Sequence, residues 1–138
     1  MRNFSFYIIL YILVTSCAQP ISPTGGKRDT VPPNLISSIP NNKQTNYQGR
    51  TVDLEFDEYI VAENLQQKLL ITPDAGEYDY KARPTGLQIK FKKSLDSATT
   101  YSLSFGDAIK DFSEKNPARN LRVVFSTGVG IDSASVGG

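Results

Sequence analysis

Apolar and polar side chains alternate with a period of two through most of the chain after residue 33. In residues 51–57, Val52, Leu54 and Phe56 fall on one side and Asp53, Glu55 and Asp57 on the other. Leu87, Ile89 and Phe91 alternate in the same way with Gln88, Lys90 and Lys92. Tyr101, Leu103 and Phe105 alternate with Ser102 and Ser104, and Leu121, Val123 and Phe125 with Arg122, Val124 and Ser126. Successive strand residues point to opposite faces, so this pattern predicts half-buried strands in antiparallel sheets. Weaker strands are predicted at residues 35–39, 68–72 and 77–82, separated by turn-forming stretches at 41–42, 73–76 and 84–86. No helical period is sustained. Single helical turns are predicted at 62–67 and at 107–112, the second capped by Asp107.

Seven short strands in under a hundred residues predict an all-β fold, a two-sheet antiparallel sandwich of Ig-like type. The predicted core is Leu35, Ile39, Val52, Leu54, Phe56, Leu69, Ile71, Leu87, Ile89, Phe91, Tyr101, Leu103, Phe105, Val123 and Phe125. In an Ig-type order the second and fifth strands are neighbours. The acidic row Asp53, Glu55 and Asp57 is then expected to face Lys90 and Lys92 across the sheet.

The first residues break this pattern. Arg2 precedes an almost wholly apolar run at 4–14, about half the length a bilayer-spanning helix needs. A cleaved export signal over residues 1–16 fits that length and its basic start. The run ends at Val14-Thr15-Ser16-Cys17, which resembles a lipobox, the processing signal of bacterial lipoproteins. The resemblance implies that the Cys17 thiol receives a diacylglyceryl group and becomes the new N-terminus. Two or more acyl chains make a stable anchor. The following residues, 18–33, hold four Pro, two Gly and few large apolar side chains. They read as a tether that would reach about 50 Å if extended. The expected organisation is a signal at 1–16, lipidated Cys17 and tether at 17–32, a sandwich at 33–128 and a tail at 129–138.

Composition narrows the chemistry. The chain has 15 Lys and Arg against 14 Asp and Glu, and loss of Arg2 would balance the two signs. Nucleic-acid binding, which favours a strongly basic face, is not expected. There is no His, so imidazole bases and ligands are excluded, and one Cys permits no internal disulfide. No Ser-x-x-Lys nucleophile motif occurs. Asp57 and Glu58 are adjacent on a strand, point to opposite faces and cannot flank one glycosidic bond. Asp107, Asp111 and Glu114 carry oxygens that could suit Ca²⁺, but they lack the spacing of an EF-hand loop. No enzyme activity, metal or cofactor is expected. Tyr101 is expected to be a core residue with its hydroxyl bonded to nearby backbone, and Asp111 to fix a turn.

Two sets of residues stay open as surface sites. Thr30, Ser97 and Ser133 each follow an Asp and precede an aliphatic residue, which resembles the O-glycosylation acceptor of Bacteroidetes. Tyr47, Tyr59, Tyr78 and Tyr80 are the candidate binding aromatics, and exposure of three of them on one surface would favour a binding role.

Three stretches resemble bacterial Ig-like domains of the SbsA type. They are Phe56-Asp57-Glu58-Tyr59-Ile60, the segment 99–111 around Tyr101, Leu103, Phe105, Gly106 and Asp111, and Phe125-Ser126-Thr127-Gly128. The resemblance spans residues 32–128, about seven-tenths of the chain. The opening, Cys17 followed by Gly25-Gly26, Asp29 and Pro32-Pro33, is similar to that of Bacteroidetes lipoproteins. The resemblance implies an envelope protein held at the outer membrane by its N-terminal lipid, and implies that residues 129–138 open a further module. Residues 18–22 carry no acidic side chain, which points to the periplasmic leaflet rather than the cell surface. Two roles remain: a non-catalytic spacer or assembly module, or an adhesin that binds glycans or other envelope proteins.

Overall fold

The computed structural model describes residues 20–133. The segment 1–16, Cys17 and residues 134–138 lie outside the described residues. Each alternating stretch forms a strand: β1 (Leu35–Ile39), β2 (Thr51–Phe56), β4 (Leu70–Thr72), β5 (Tyr78–Arg83), β6 (Gly86–Phe91), β7 (Thr100–Ser104) and β9 (Arg122–Ser126). Strands β1-β2-β6-β5 form one antiparallel sheet and β4-β7-β9 the other. Two short strands were not anticipated, β3 (Ile60–Ala62) and β8 (Ile109–Asp111), which pair with each other. A single helical turn, α1 (Leu65–Lys68), lies close to where one was expected.

The two sheets hide their apolar faces against each other. Val52, Leu54 and Phe56 of β2 and Leu87, Ile89 and Phe91 of β6 are buried against Tyr101, Leu103, Val123 and Phe125 of the second sheet. Phe125 sits at the centre of an aromatic group. The Tyr101 ring stacks on it at 5.8 Å and the Tyr47 ring meets it edge-on at 5.3 Å. The Tyr101 hydroxyl accepts the Asp96 N–H at 3.0 Å, as expected for a core tyrosine with a polar tip.

After β1 the chain crosses from one sheet to the other and runs beside β9. Gln44 pairs with Phe125 in parallel. The Lys43 N–H donates to the Val124 carbonyl, Ser126 N–H to Gln44, Tyr47 N–H to Ser126 and Asn46 N–H to Gly128. The Asn42 side-chain oxygen adds an acceptor for the Val124 N–H. A Cβ on Gly128 would lie 2.9 Å from the Ala98 Cα, so only glycine allows the 98–99 turn to close over this seam.

Three expectations are corrected. Ile39 is 66% exposed rather than buried, and Ser38 is buried in its place. The cause is a register irregularity between Leu35 and Ser37, which exchanges the faces of the later residues of β1. Residues 109–111 form β8 instead of a helical turn. Ile109 and Asp111 both point inward there, and a buried acid hides the alternation from a hydropathy reading. The acidic row of β2 faces different partners. β2 and β6 are neighbours as expected, but the register sets Asp53 against Gln88 and Glu55 against Gly86. The opposing cation is Arg83, one strand further on, which bonds Asp53 at 2.5 Å and Glu55 at 3.3 Å. Lys92 instead approaches Glu77 and Asp79. Residues between the strands also add Leu65, Ala108, Ala118 and Leu121 to the core.

Truncation of a fully buried core side chain should cost more than any change at an exposed one. Leu103→Ala is expected to destabilise the fold by about 2–5 kcal/mol, and Ile39→Ser by no more than about 0.5 kcal/mol. Urea unfolding of the two variants checks the contrast.

Candidate functional site

The four nominated tyrosines do not share one exposed surface. Tyr47 is half-buried, packs on Phe125 and donates its hydroxyl to the Thr51 carbonyl. Tyr78 is half-buried and meets Phe91 edge-on at 6.4 Å. Its hydroxyl is pushed above the ordinary range, chiefly by burial and secondarily by Tyr80. Tyr59 is 65% exposed and Tyr80 40% exposed, on different elements. The neighbour of Tyr59 is a residue that sequence reasoning did not nominate. Phe112 is 62% exposed, donates its N–H to the Tyr59 carbonyl and lies beneath the Lys115 ammonium at 5.4 Å. The available signal was its position one residue past a strand that was not recognised.

The acidic residues are held by structural partners. Asp111 is buried, and its Oδ1 accepts the N–H groups of Glu114 at 2.6 Å and Lys115 at 3.0 Å. Its Oδ2 accepts the Asn116 N–H at 3.0 Å. Burial alone would push this carboxyl up. The N–H donors of Glu114, Asn116 and Lys115 outweigh it and hold the group below the usual aspartate range. Lys115 sits at φ 63 within the turn that results. Asp107 bonds Lys68 at 2.9 Å and Glu114 bonds Arg28 at 3.1 Å. The three carboxylates weighed for Ca²⁺ are therefore each bound elsewhere, and no cluster of three metal-binding side chains occurs among the described residues.

Asp57 and Glu58 lie in the bend after β2, not on the strand where the sequence pattern put them. Asp57 accepts the Asn34 N–H and the Asn34 side-chain amide, both at 2.9 Å, and these bonds hold its carboxyl low. Glu58 is pushed up, first by burial and then by the nearby carboxylates of Asp111, Asp57 and Asp29. Glu63 and Lys110 form an ion pair at 2.7 Å beside the β3–β8 ladder. That pair lowers the Glu63 carboxyl and raises the Lys110 ammonium.

The N-terminal segment reaches the domain before the first strand. The Arg28–Glu114 ion pair and a bond from the Asn116 side-chain amide to the Asp29 carbonyl at 3.1 Å tie residues 28–29 to the loop that Asp111 orders. Pro33 is buried. Thr30, Ser97 and Ser133 are all exposed. Among the described residues, no helix is long and apolar enough to cross a membrane.

The sequence pattern of the bacterial Ig-like domain family matches residues 29–127. The chain belongs to that family. Bacterial Ig-like domains of this kind are non-catalytic structural or binding modules. Solved structures similar to this Ig-like domain include an L,D-transpeptidase from Mycobacterium smegmatis, with 17% identity over 71% of this chain and a TM-score of 0.49. The present chain spans 41% of that protein's length. PcoC, a copper resistance protein from Escherichia coli, shows 16% identity over 72% of this chain and all of its own, at a TM-score of 0.47. No curated protein sequence matches the chain.

The Asp111 cradle predicts a pH signature. A carboxyl held below its unfolded value stabilises the fold at every pH above that value, about 3.9 for aspartate. The contribution is lost as pH falls through the lower folded-state value. Asp111→Asn is expected to cost about 1–3 kcal/mol at pH 7, because one of the three N–H donors then faces an amide instead of an acceptor. The gap to the parent chain should narrow below about pH 4, as urea unfolding across pH 2–7 would record.

Proposed function

We propose that this chain is a lipid-anchored envelope protein whose Ig-like domain serves as a non-catalytic spacer or assembly module. The observation that carries the reading is the way the N-terminal segment meets the domain. Residues 20–31 are exposed, Arg28 and Asp29 within them clip the chain to the 111–116 loop, and Asn34 then bonds Asp57. A tether that ends in fixed polar contacts holds a module at a set distance and orientation better than one that enters through a free hinge. The proposed anchor is diacylglyceryl on Cys17, in the periplasmic leaflet of the outer membrane. The proposed sugar acceptors are Thr30, Ser97 and Ser133, whose exposure suits modification.

A second reading, a protein- or glycan-binding module, draws support from one observation. Tyr59 and Phe112 are exposed aromatic residues joined by a backbone hydrogen bond, with the Lys115 ammonium over the Phe112 ring. Binding through that pair would be abolished by Tyr59→Ala together with Phe112→Ala, and the spacer reading expects no ligand to be lost in that variant.

Intact mass of the protein taken from membranes of its native host tests the anchor. The expected mass corresponds to cleavage before Cys17 plus acyl chains, and Cys17→Ala should move the protein out of the membrane fraction. An unacylated mass that retains residues 1–16 would overturn the proposal.

A further inference from the structure

We infer that the free edge of β5 is a self-pairing surface, and that two copies of this chain join there antiparallel to make one continuous eight-stranded sheet. β5 is the six-residue outer strand of the four-stranded sheet, and it pairs regularly with β6 on one side only. The Lys92 N–H donates to the Glu77 carbonyl, which fixes the phase of that ladder. In an antiparallel pair, hydrogen-bonded positions alternate with positions whose backbone groups point away. Glu77, Asp79, Lys81 and Arg83 therefore bond inward to β6. The N–H and carbonyl groups of Tyr78, Tyr80 and Ala82 point outward from the sheet. Among the described residues they have no backbone partner outside the β5–β6 ladder. The β3 end reaches β5 only near the hairpin, where the Ile60 N–H donates to the Pro84 carbonyl.

The other edges are poorer templates. β4 has three residues, and β1 carries the register irregularity described above. A long regular edge strand is a ready template for another strand unless something blunts it. The side chains of β5 select which strand that is.

On the solvent face, β5 and the residue before it read Glu77, Asp79, Lys81, Arg83. If Tyr80 lies opposite Tyr80 of a second copy, Asp79 lies opposite Lys81 of that copy, and Glu77 opposite the position of its Arg83, whose guanidinium is also held by Asp53 and Glu55 of its own copy. The outward backbone groups then meet in register, Tyr80 with Tyr80 and Tyr78 with Ala82. A slip of two residues either way sets Asp79 against Asp79 or Lys81 against Lys81. A slip of four sets like charges together at two positions. The centred register alone gives opposite charges at every facing position, and cross-strand pairs of that kind set both stability and register. On the other face the half-exposed Tyr80 rings come together across the two-fold axis. Such an edge-to-edge contact is smaller than a standard interface, so the dimer is a weak one that forms as concentration rises. The pairing is independent of the lipid anchor.

The test uses the full chain in detergent, with dimer content read by native mass spectrometry over a concentration series. The parent chain is expected to dimerise. Asp79→Lys and Lys81→Asp each place like charges opposite each other, and each should weaken self-association about tenfold. Mixed together, those two variants should recover a heterodimer, because each then meets the opposite charge. Ala82→Pro removes an outward N–H that the domain's own ladder does not use, and should abolish dimers without loss of folding. A parent chain that stays monomeric, single variants that associate as well as the parent, or a mixture that fails to form heterodimers would each overturn the assignment.

Discussion

Neither sheet of this protein can exist without the other. Each strand puts every second side chain onto one face, and that face leaves water only when a second sheet covers it. Phe125 shows how far this requirement reaches. Its ring touches Tyr101 from the same sheet and Tyr47 from the crossing segment, so one side chain fastens the core, the strand and the seam. The corner tyrosine bond to Asp96 and the fit of Gly128 against Ala98 both follow from keeping that region closed.

The second organising element is a charge placed inside. Asp111 is a buried carboxylate, and burial of an unpaired charge is prohibitively costly. Three backbone N–H groups from the next turn satisfy it. That turn in turn presents Glu114 and Asn116, which hold the incoming chain at residues 28 and 29. One buried acid thus connects the β3–β8 ladder, the loop and the N-terminal segment. Its turn-fixing role was legible in the sequence, because an aspartate before a polar turn bonds its own backbone. Its burial was not, because hydropathy assigns an acid to the surface.

The same distinction separates what the sequence disclosed from what it concealed. Strands whose inward residues are aliphatic or aromatic, such as Val52-Leu54-Phe56 and Leu87-Ile89-Phe91, announce themselves, and the two-sheet sandwich follows from them. β8 escaped because one of its inward residues is charged, and Ile39 was misplaced because a register irregularity leaves no mark in composition. The partner of the acidic row escaped for a related reason. The Ig-type order makes the two strands neighbours, but cross-strand register depends on turn length, and Arg83 reaches over from the far side of β6. Of the tyrosines, sequence alone could not tell a ring that caps a core phenylalanine from one that faces water, and two of the four turned out to do the former.

The seam between residues 42–47 and β9 has a mechanical consequence. The two segments run parallel, with one chain direction leading back toward the tether and the other leading onward past Gly128. A pull applied between residue 34 and residue 128 therefore slides the segments past each other along their length instead of peeling them apart. The bonds at Lys43, Ser126, Tyr47 and Asn46 share that strain and must give way together, so the junction resists tension as a shear joint rather than opening bond by bond like a zip.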